Sequence, residues 1–430
     1  MKQYENPSLR EKYYRFTHKS GLDIYVFPKH FSTAYAVFGT KYGSIDNCFK
    51  LAGEKEYQAF PDGIAHYLEH RMFTQADGSD ITERFSELGA DSNAYTSYTK
   101  TVYLFSATDY VEESIEALLR FVTEPHFTEE LVERERGIIV QEIRMCEDDP
   151  YGCCFDRLME AMYHCHSVRN NVAGTEASVG RITADMLNSC YRAFYNPKNM
   201  VLVVCGDISP ETVSEIADRS LPETFVAVDV DRFYRQEPPY VKESLVEKEM
   251  QVSKPIFAMG IKDSHVAETP EERIHRCAAM SILCDAIFSK AGDLYNSLFE
   301  SGRISPDFSC VYSSSETFSF ATVSGEADDP LAVCDTVKNY MKELSSRGIP
   351  AKDIERSRRA LYSEYVKDFD STEEIANSMI DFIMEGVDLL EYGDHLQNVT
   401  CEEIRQLLRS VFKEEYFSVS VVRPKRKEIE

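Results

Sequence analysis

No apolar run in this chain approaches the roughly 18 residues that a membrane-spanning helix needs, which argues against a helical membrane protein. The first ten residues, Met1 to Arg10, lack both the apolar centre of a secretory signal and the Arg/Ser-rich, acid-poor character of a transit peptide. The 12 cysteines form no C-x-x-C pair and no regular framework, and Cys205, Cys277, Cys284 and Cys334 sit inside apolar patterns. Reduced, buried thiols and a cytoplasmic location are the simplest account. Positive charge is also scarce, with 47 Lys and Arg against 73 Asp and Glu, a net charge of −26. Such a field repels nucleic acid and anionic membrane surfaces, so neither is expected as a partner. It favours basic peptides, although acidic surfaces more often serve solubility than selection. A content of 43% hydrophobic and 28% charged residues describes a soluble globular chain, and 430 residues suit two to three domains.

Only ten histidines are present, yet two of them fall in His66-Tyr67-Leu68-Glu69-His70. This is the spacing H-x-x-E-H, the inverted zinc-peptidase motif, and it points to a metal-dependent peptidase. The stretch from Asp62 to Phe73 reads as one short helix with Asp62 as its N-cap. At about 100° per residue, His66, Glu69 and His70 share one face, while Ile64, Ala65, Leu68 and Met72 gather on the other. Two imidazoles one turn apart can reach one tetrahedral ion, and the carboxylate between them can take a proton from water. The bland alternative, a chance grouping on a solvated helix, has a weight of about a few per cent for three fixed positions in five.

Such a site needs a third protein ligand from another rigid element. A second helical pattern opens at Thr128-Glu129-Glu130, with acids in its first turn, and runs through Leu131, Ile138, Ile139, Val140 and Ile143 to about Cys146. Glu135 and Glu142 lie two turns apart on one of its faces. Taken singly, a glutamate in so acidic a chain is more often a solvated charge.

His66, Glu69 and His70, followed by Glu135 through Glu142, resemble the pitrilysin/insulinase family of inverted-motif zinc peptidases, in its half-length, processing-peptidase-like, cytosolic bacterial branch. Gly89 to Ser97 and Thr101 to Tyr103 resemble that family's substrate-edge strand and its neighbour. Gly174-Thr175-Glu176, Ile182-Thr183, Phe194 to Met200 and Val203 to Asp207 resemble the close of its first domain. The likeness is strong over about the first 210 residues and weaker beyond. It implies that His66, His70 and Glu142 bind zinc, that Glu69 is the general base, and that Glu135 supports the site by holding a ligating histidine. It also implies that Asn93, Ala94, Tyr95 and Thr96 bind an extended peptide along a sheet edge. By its residues alone this segment is an ordinary strand with Asn93 in a turn.

The resemblance and the order of elements together imply an α+β fold of two homologous α/β-sandwich domains, each a mixed, mainly antiparallel sheet with helices on one face. The first, zinc-bearing domain covers 1–221, with strands near 22–28 and 34–43, the motif helix, a hairpin over 89–107, helices from 110 to 193, a strand at 200–205 and a helix at 209–219. Residues 222–247 mix charge with Pro222, Pro238 and Pro239 and read as a linker. The second domain, 248–430, repeats the pattern without H-x-x-E-H. Its strands fall near 256–259, 307–313, 317–325 and 416–422, and its helices near 271–289, 329–346, 351–368, 372–386 and 402–412. Cys153-Cys154 and His164-Cys165-His166 lack metal-ligand spacing and are assigned structural roles.

In the resembled family, a segment like Leu294 to Leu298 continues with an arginine and then a tyrosine that orient the substrate carbonyl. Here those places hold Phe299 and Pro306, and Arg303 is out of register. The expectation is a zinc endopeptidase acting on peptides or small unfolded proteins in an enclosed chamber, formed with a homologous partner subunit that supplies the missing pair. Two alternatives stand beside it: a non-catalytic structural or assembly subunit, and a dedicated maturation protease for one small peptide.

Overall fold

The computed structural model describes residues 1–75, 78–222, 228–265 and 267–425. The chain forms two compact units, each assembled from three stretches: 1–143, 171–234 and 366–390 in the first, and 144–170, 235–365 and 391–430 in the second. Segments 144–170 and 366–390 therefore lie in the unit opposite to the one that a division at 221 and 248 gives them. Part of the expected linker, 223–227, lies outside the described residues.

The first unit contains β1 (Lys2–Asn6), β2 (Glu11–Thr17), β3 (Asp23–Pro28), β4 (Ala34–Thr40), β5 (Cys48–Leu51), β6 (Gln58–Ala59), β7 (Asp91–Thr96), β8 (Thr101–Ala107), β9 (Met200–Gly206) and β10 (Val230–Arg232). Seven of these form a sheet in the order β1-β2-β3-β9-β4-β8-β7, and β10, β5 and β6 form a small second sheet. The β3–β9 pair is parallel and the other pairs of the large sheet are antiparallel. Buried side chains of this sheet, among them Ala36, Phe38, Tyr103 and Phe105, pack against Leu68, Ile115, Leu118 and Leu187 of the helices that cover it.

β4 is buried along its whole length because its other face is covered too. Helix Thr372–Met384 crosses there, and it fits because residue 39 is glycine: a Cβ would lie 2.6 Å from Ile380 Cδ1 and 2.8 Å from Met384 Cε.

The second unit contains β11 (Leu245–Met250), β12 (Ile256–Asp263), β13 (Ser309–Ser314), β14 (Ser319–Glu326) and β15 (Phe417–Pro424), in the order β11-β15-β12-β14-β13. The β11–β15 pair is parallel and the rest are antiparallel. This order matches β3-β9-β4-β8-β7 strand for strand, so the duplication expected from the sequence is present, with β1 and β2 as additions to the first copy. Helix Pro150–Met162 crosses the free face of this sheet at Gly260, where a Cβ would meet Met162 Sδ at 2.0 Å. Among the described residues, the seven-stranded and five-stranded sheets thus each have their main helical layer on one face and one helix on the other. No helix among the described residues is long and apolar enough to cross a membrane.

Candidate metal centre

The motif helix spans Ile64–Met72. Its apolar face is buried as the periodicity requires, with Ile64, Ala65, Tyr67, Leu68 and Met72 all within the core. Burial of each large side chain contributes about 1.5–3 kcal/mol toward holding the helix in place. The expected cap is replaced. Asp62 does not cap the helix: its Oδ1 accepts from Asn47 Nδ2 at 2.7 Å, and Gly63 takes the N-cap place in a left-handed conformation, φ 88°. A side chain cannot fit there, because a Cβ on Gly63 would lie 2.4 Å from the Ala173 carbonyl oxygen.

The second helix runs Glu129–Asp148 and is tied to the first by the Tyr67 hydroxyl, which donates to the Val132 carbonyl. Glu135 and Glu142 both face the motif helix. His66 Nε2 lies 3.5 Å from Glu142 Oε1, and His70 Nε2 lies 3.2 Å from Glu142 Oε2. One donor atom from each of the three side chains falls within 4.8 Å of the others, and this is the sole such grouping among the described residues. Ligands about 2.0–2.1 Å from a tetrahedral zinc stand about 3.3 Å apart, so the donor set and its spacing fit that ion.

Glu135 is buried between two partners: His70 Nδ1 at 3.2 Å and the Arg71 guanidinium at 3.6 Å. Sequence reading passed over Arg71, which is 1% exposed and also donates to the His126 carbonyl and Thr74 Oγ1. Only its place one residue beyond the motif could have drawn notice. The outer nitrogen of His66, Nδ1, is buried without a hydrogen-bond partner. The second imidazole is therefore held from behind and the first is not.

Glu69 is 6% exposed, and Thr96 Oγ1 donates to its Oε2 at 2.6 Å. Burial pushes the Glu69 carboxyl above its ordinary value, against the opposing pull of His66, Thr96 and His70. Burial would lower His70, but hydrogen bonds to Glu135 and Glu142 outweigh it and raise the imidazole to about 10. Glu142 is held well below the usual carboxylate range by the two imidazoles. The negative field that draws protons to this pocket would draw a divalent cation equally.

β7 is an edge strand, and its four expected substrate residues divide by strand alternation. Ala94 and Thr96 turn toward the motif helix side, Ala94 against the core and Thr96 onto Glu69. Asn93 is exposed, and its Oδ1 accepts from the Ala94 amide at 2.9 Å. Tyr95 lies on the opposite face, near Asp381.

The chain matches the family description "Insulinase (Peptidase family M16)" over residues 54–176 and "Peptidase M16 inactive domain" over 181–361. It is 36% identical, over 430 residues, to the uncharacterized zinc protease YmfH of Bacillus subtilis (strain 168), covering 99% of this chain and 100% of that one. The chain belongs to the insulinase family, M16. A putative M16-like peptidase from Alicyclobacillus acidocaldarius has a solved structure that superposes with TM-score 0.93 at 32% identity, over 98% of this chain and 100% of that chain. The mitochondrial-processing peptidase subunit beta of Neurospora crassa is 27% identical over 197 residues, 44% of this chain and 41% of its own length. The pitrilysin/insulinase resemblance and the two-domain fold are thereby established. As an M16 chain, it carries the H-x-x-E-H segment within the first of its two matched regions, and among the described residues the second unit repeats the sheet without a counterpart of the His66, His70 and Glu142 cluster.

Proposed function

We propose that this chain is the zinc-bearing subunit of a metalloendopeptidase that hydrolyses peptides or small unfolded proteins, acting with a homologous partner subunit. The observation that carries the reading is the convergence of His66, His70 and Glu142 from two helices, with the Glu69 carboxylate beside them. Zinc, held by those three side chains, would supply a Lewis acid that polarises a peptide carbonyl and makes water more acidic. Glu69 takes the proton of the attacking water and hands it to the leaving amine. Glu135 holds the His70 ring by its Nδ1, and Arg71 balances the Glu135 charge. An extended peptide adds to the open edge of β7 through main-chain hydrogen bonds, displacing the Asn93 side chain from the Ala94 amide.

Support for a partner comes from the second unit. Phe299 and Pro306 stand where the family has its carbonyl-orienting arginine and tyrosine, and Arg303 is committed to Ala332 O at 2.7 Å and Thr336 Oγ1 at 2.9 Å. A chamber closed by a homologous subunit bearing that pair would supply what this chain lacks. We place the enzyme in the cytoplasm, where its free cysteines stay reduced; burial pushes the thiols of Cys154, Cys190, Cys205 and Cys334 up to between about 11 and about 12, which makes them inert. The test is zinc content together with cleavage of an unstructured peptide by wild type and Glu69→Gln, each assayed with the homologous partner subunit. One zinc per chain and cleavage by the wild type only are expected. Equal product from both proteins would sink the reading.

A further inference from the structure

We propose that Thr96 is a positioning residue for Glu69, coupling the edge strand that receives substrate to the orientation of the proton acceptor. The inference rests on the peptidase reading above and deepens it. Thr96 closes β7, where it pairs with Thr101. Its hydroxyl donates to Glu69 Oε2 at 2.6 Å and lies 3.3 Å from Thr101 Oγ1. Thr101 is fully buried and anchored in turn, donating to the Tyr42 carbonyl at 2.9 Å. The turn that follows is equally fixed: Ser97 N donates to Lys100 O at 2.8 Å, Ser44 N to Ser97 O at 3.0 Å and Ile45 N to Tyr98 O at 3.1 Å.

Thr96 therefore sits where a rigid turn meets an open edge. One carboxylate oxygen of Glu69 is fastened to this point, which leaves Oε1 to meet water and substrate. A hydroxyl suits the task because it donates to a carboxylate and accepts from a carboxylic acid, so it keeps hold of Glu69 before and after proton transfer. When a peptide strand pairs with β7, any adjustment of that edge passes through the Thr96 side chain to the acceptor. The family resemblance assigns Thr96 to substrate contact through the main chain of the edge strand; its side chain reaches the residue that handles the proton.

The experiment compares zinc-loaded wild type, Thr96→Val, Thr96→Ser and Glu69→Gln, each assayed with the homologous partner subunit on a quenched-fluorescent unstructured peptide, with bound zinc and thermal midpoint measured on each. Thr96→Val should lower kcat about tenfold, the worth of one hydrogen bond to a charged group, with KM and zinc content unchanged. Thr96→Ser should recover most of that loss. A crystal structure of zinc-loaded Thr96→Val should show the Glu69 carboxylate turned away from its wild-type orientation. Should valine disturb folding, Thr96→Ala against Thr96→Ser gives the same comparison, since both lose the methyl and only one loses the hydroxyl. A kcat within twofold of wild type, a change confined to KM, or an unmoved carboxylate overturns the proposal while leaving the peptidase reading intact. Wild type no better than Glu69→Gln removes both.

Discussion

Replacing Glu69 by Gln keeps the size of the side chain and its bond to Thr96 while removing the proton acceptor. Peptide cleavage is expected to fall about 10²–10⁴-fold, with zinc content unchanged, when turnover and metal are measured on the same preparation. Glu135 acts one step further out. Glu135→Gln loses the charge shared with His70 and Arg71, so zinc affinity measured by chelator competition should weaken about 10–100-fold. A third residue reports on stability alone. Glu237 accepts from the amides of His164, Cys165 and His166 and from Lys262 Nζ. Burial would raise its carboxyl, but Lys262 and those amides pull it down to about 2. The folded value thus lies below the unfolded one near 4.5, so this stabilisation is complete above that pH and is lost as pH falls toward 2. Glu237→Gln should cost about 2–3 kcal/mol at pH 7, and the gap to wild type in urea titrations should narrow steadily below pH 4.5. The structural role assigned to the His164-Cys165-His166 cluster from its spacing agrees with these contacts.

Among the elements, the motif helix depends on two glycines as much as on its histidines. Gly63 and Gly174 both have positive φ, and a Cβ on either would strike backbone oxygen of the other's strand of chain, at 2.4 Å and 2.5 Å. Gly63→Ala should cost about 2–4 kcal/mol, read as a lowered thermal midpoint with loss of bound zinc, because the helix start must shift. Sequence periodicity made the motif helix and the Glu142 helix legible, since each has an apolar stripe, and the family resemblance supplied the hairpin over 89–107, whose first strand, Asp91–Thr96, is mostly polar. Periodicity did not make β1, β2 or β11 legible. β1 and β11 are edge strands, β2 lies next to the edge, and their polar residues, as in Leu245 to Met250, read as linker or tail. The Asp62 cap failed for a tertiary reason: Asn47, fifteen residues away, takes its carboxylate. Thr96 shows the same limit, for a pattern of period two tells which face a side chain takes and not what it touches.

At the scale of the whole molecule, activity is expected to follow metal and partner together. Dialysis against a chelator should abolish cleavage and added zinc should restore it, measured on one sample. The zinc-loaded chain alone should cleave weakly, and adding the homologous subunit should raise kcat on the order of 10²-fold, the worth of one carbonyl-orienting donor. Full activity of the isolated chain would overturn the heterodimer. The composite make-up of the units was beyond the reach of local sequence. Helices Pro150–Met162 and Thr372–Met384 announce an apolar face, yet nothing in their periodicity says which sheet that face will cover.

That arrangement dictates when the protein can fold during its own synthesis. Unit one is otherwise complete at Tyr234, but the helix that seals β4 and β9 lies in 366–390, about 132 residues later. A ribosome takes on the order of ten seconds to cover that distance. Through this interval the nascent sheet carries a bare apolar surface around Gly39, which makes the growing chain a natural client for a holdase.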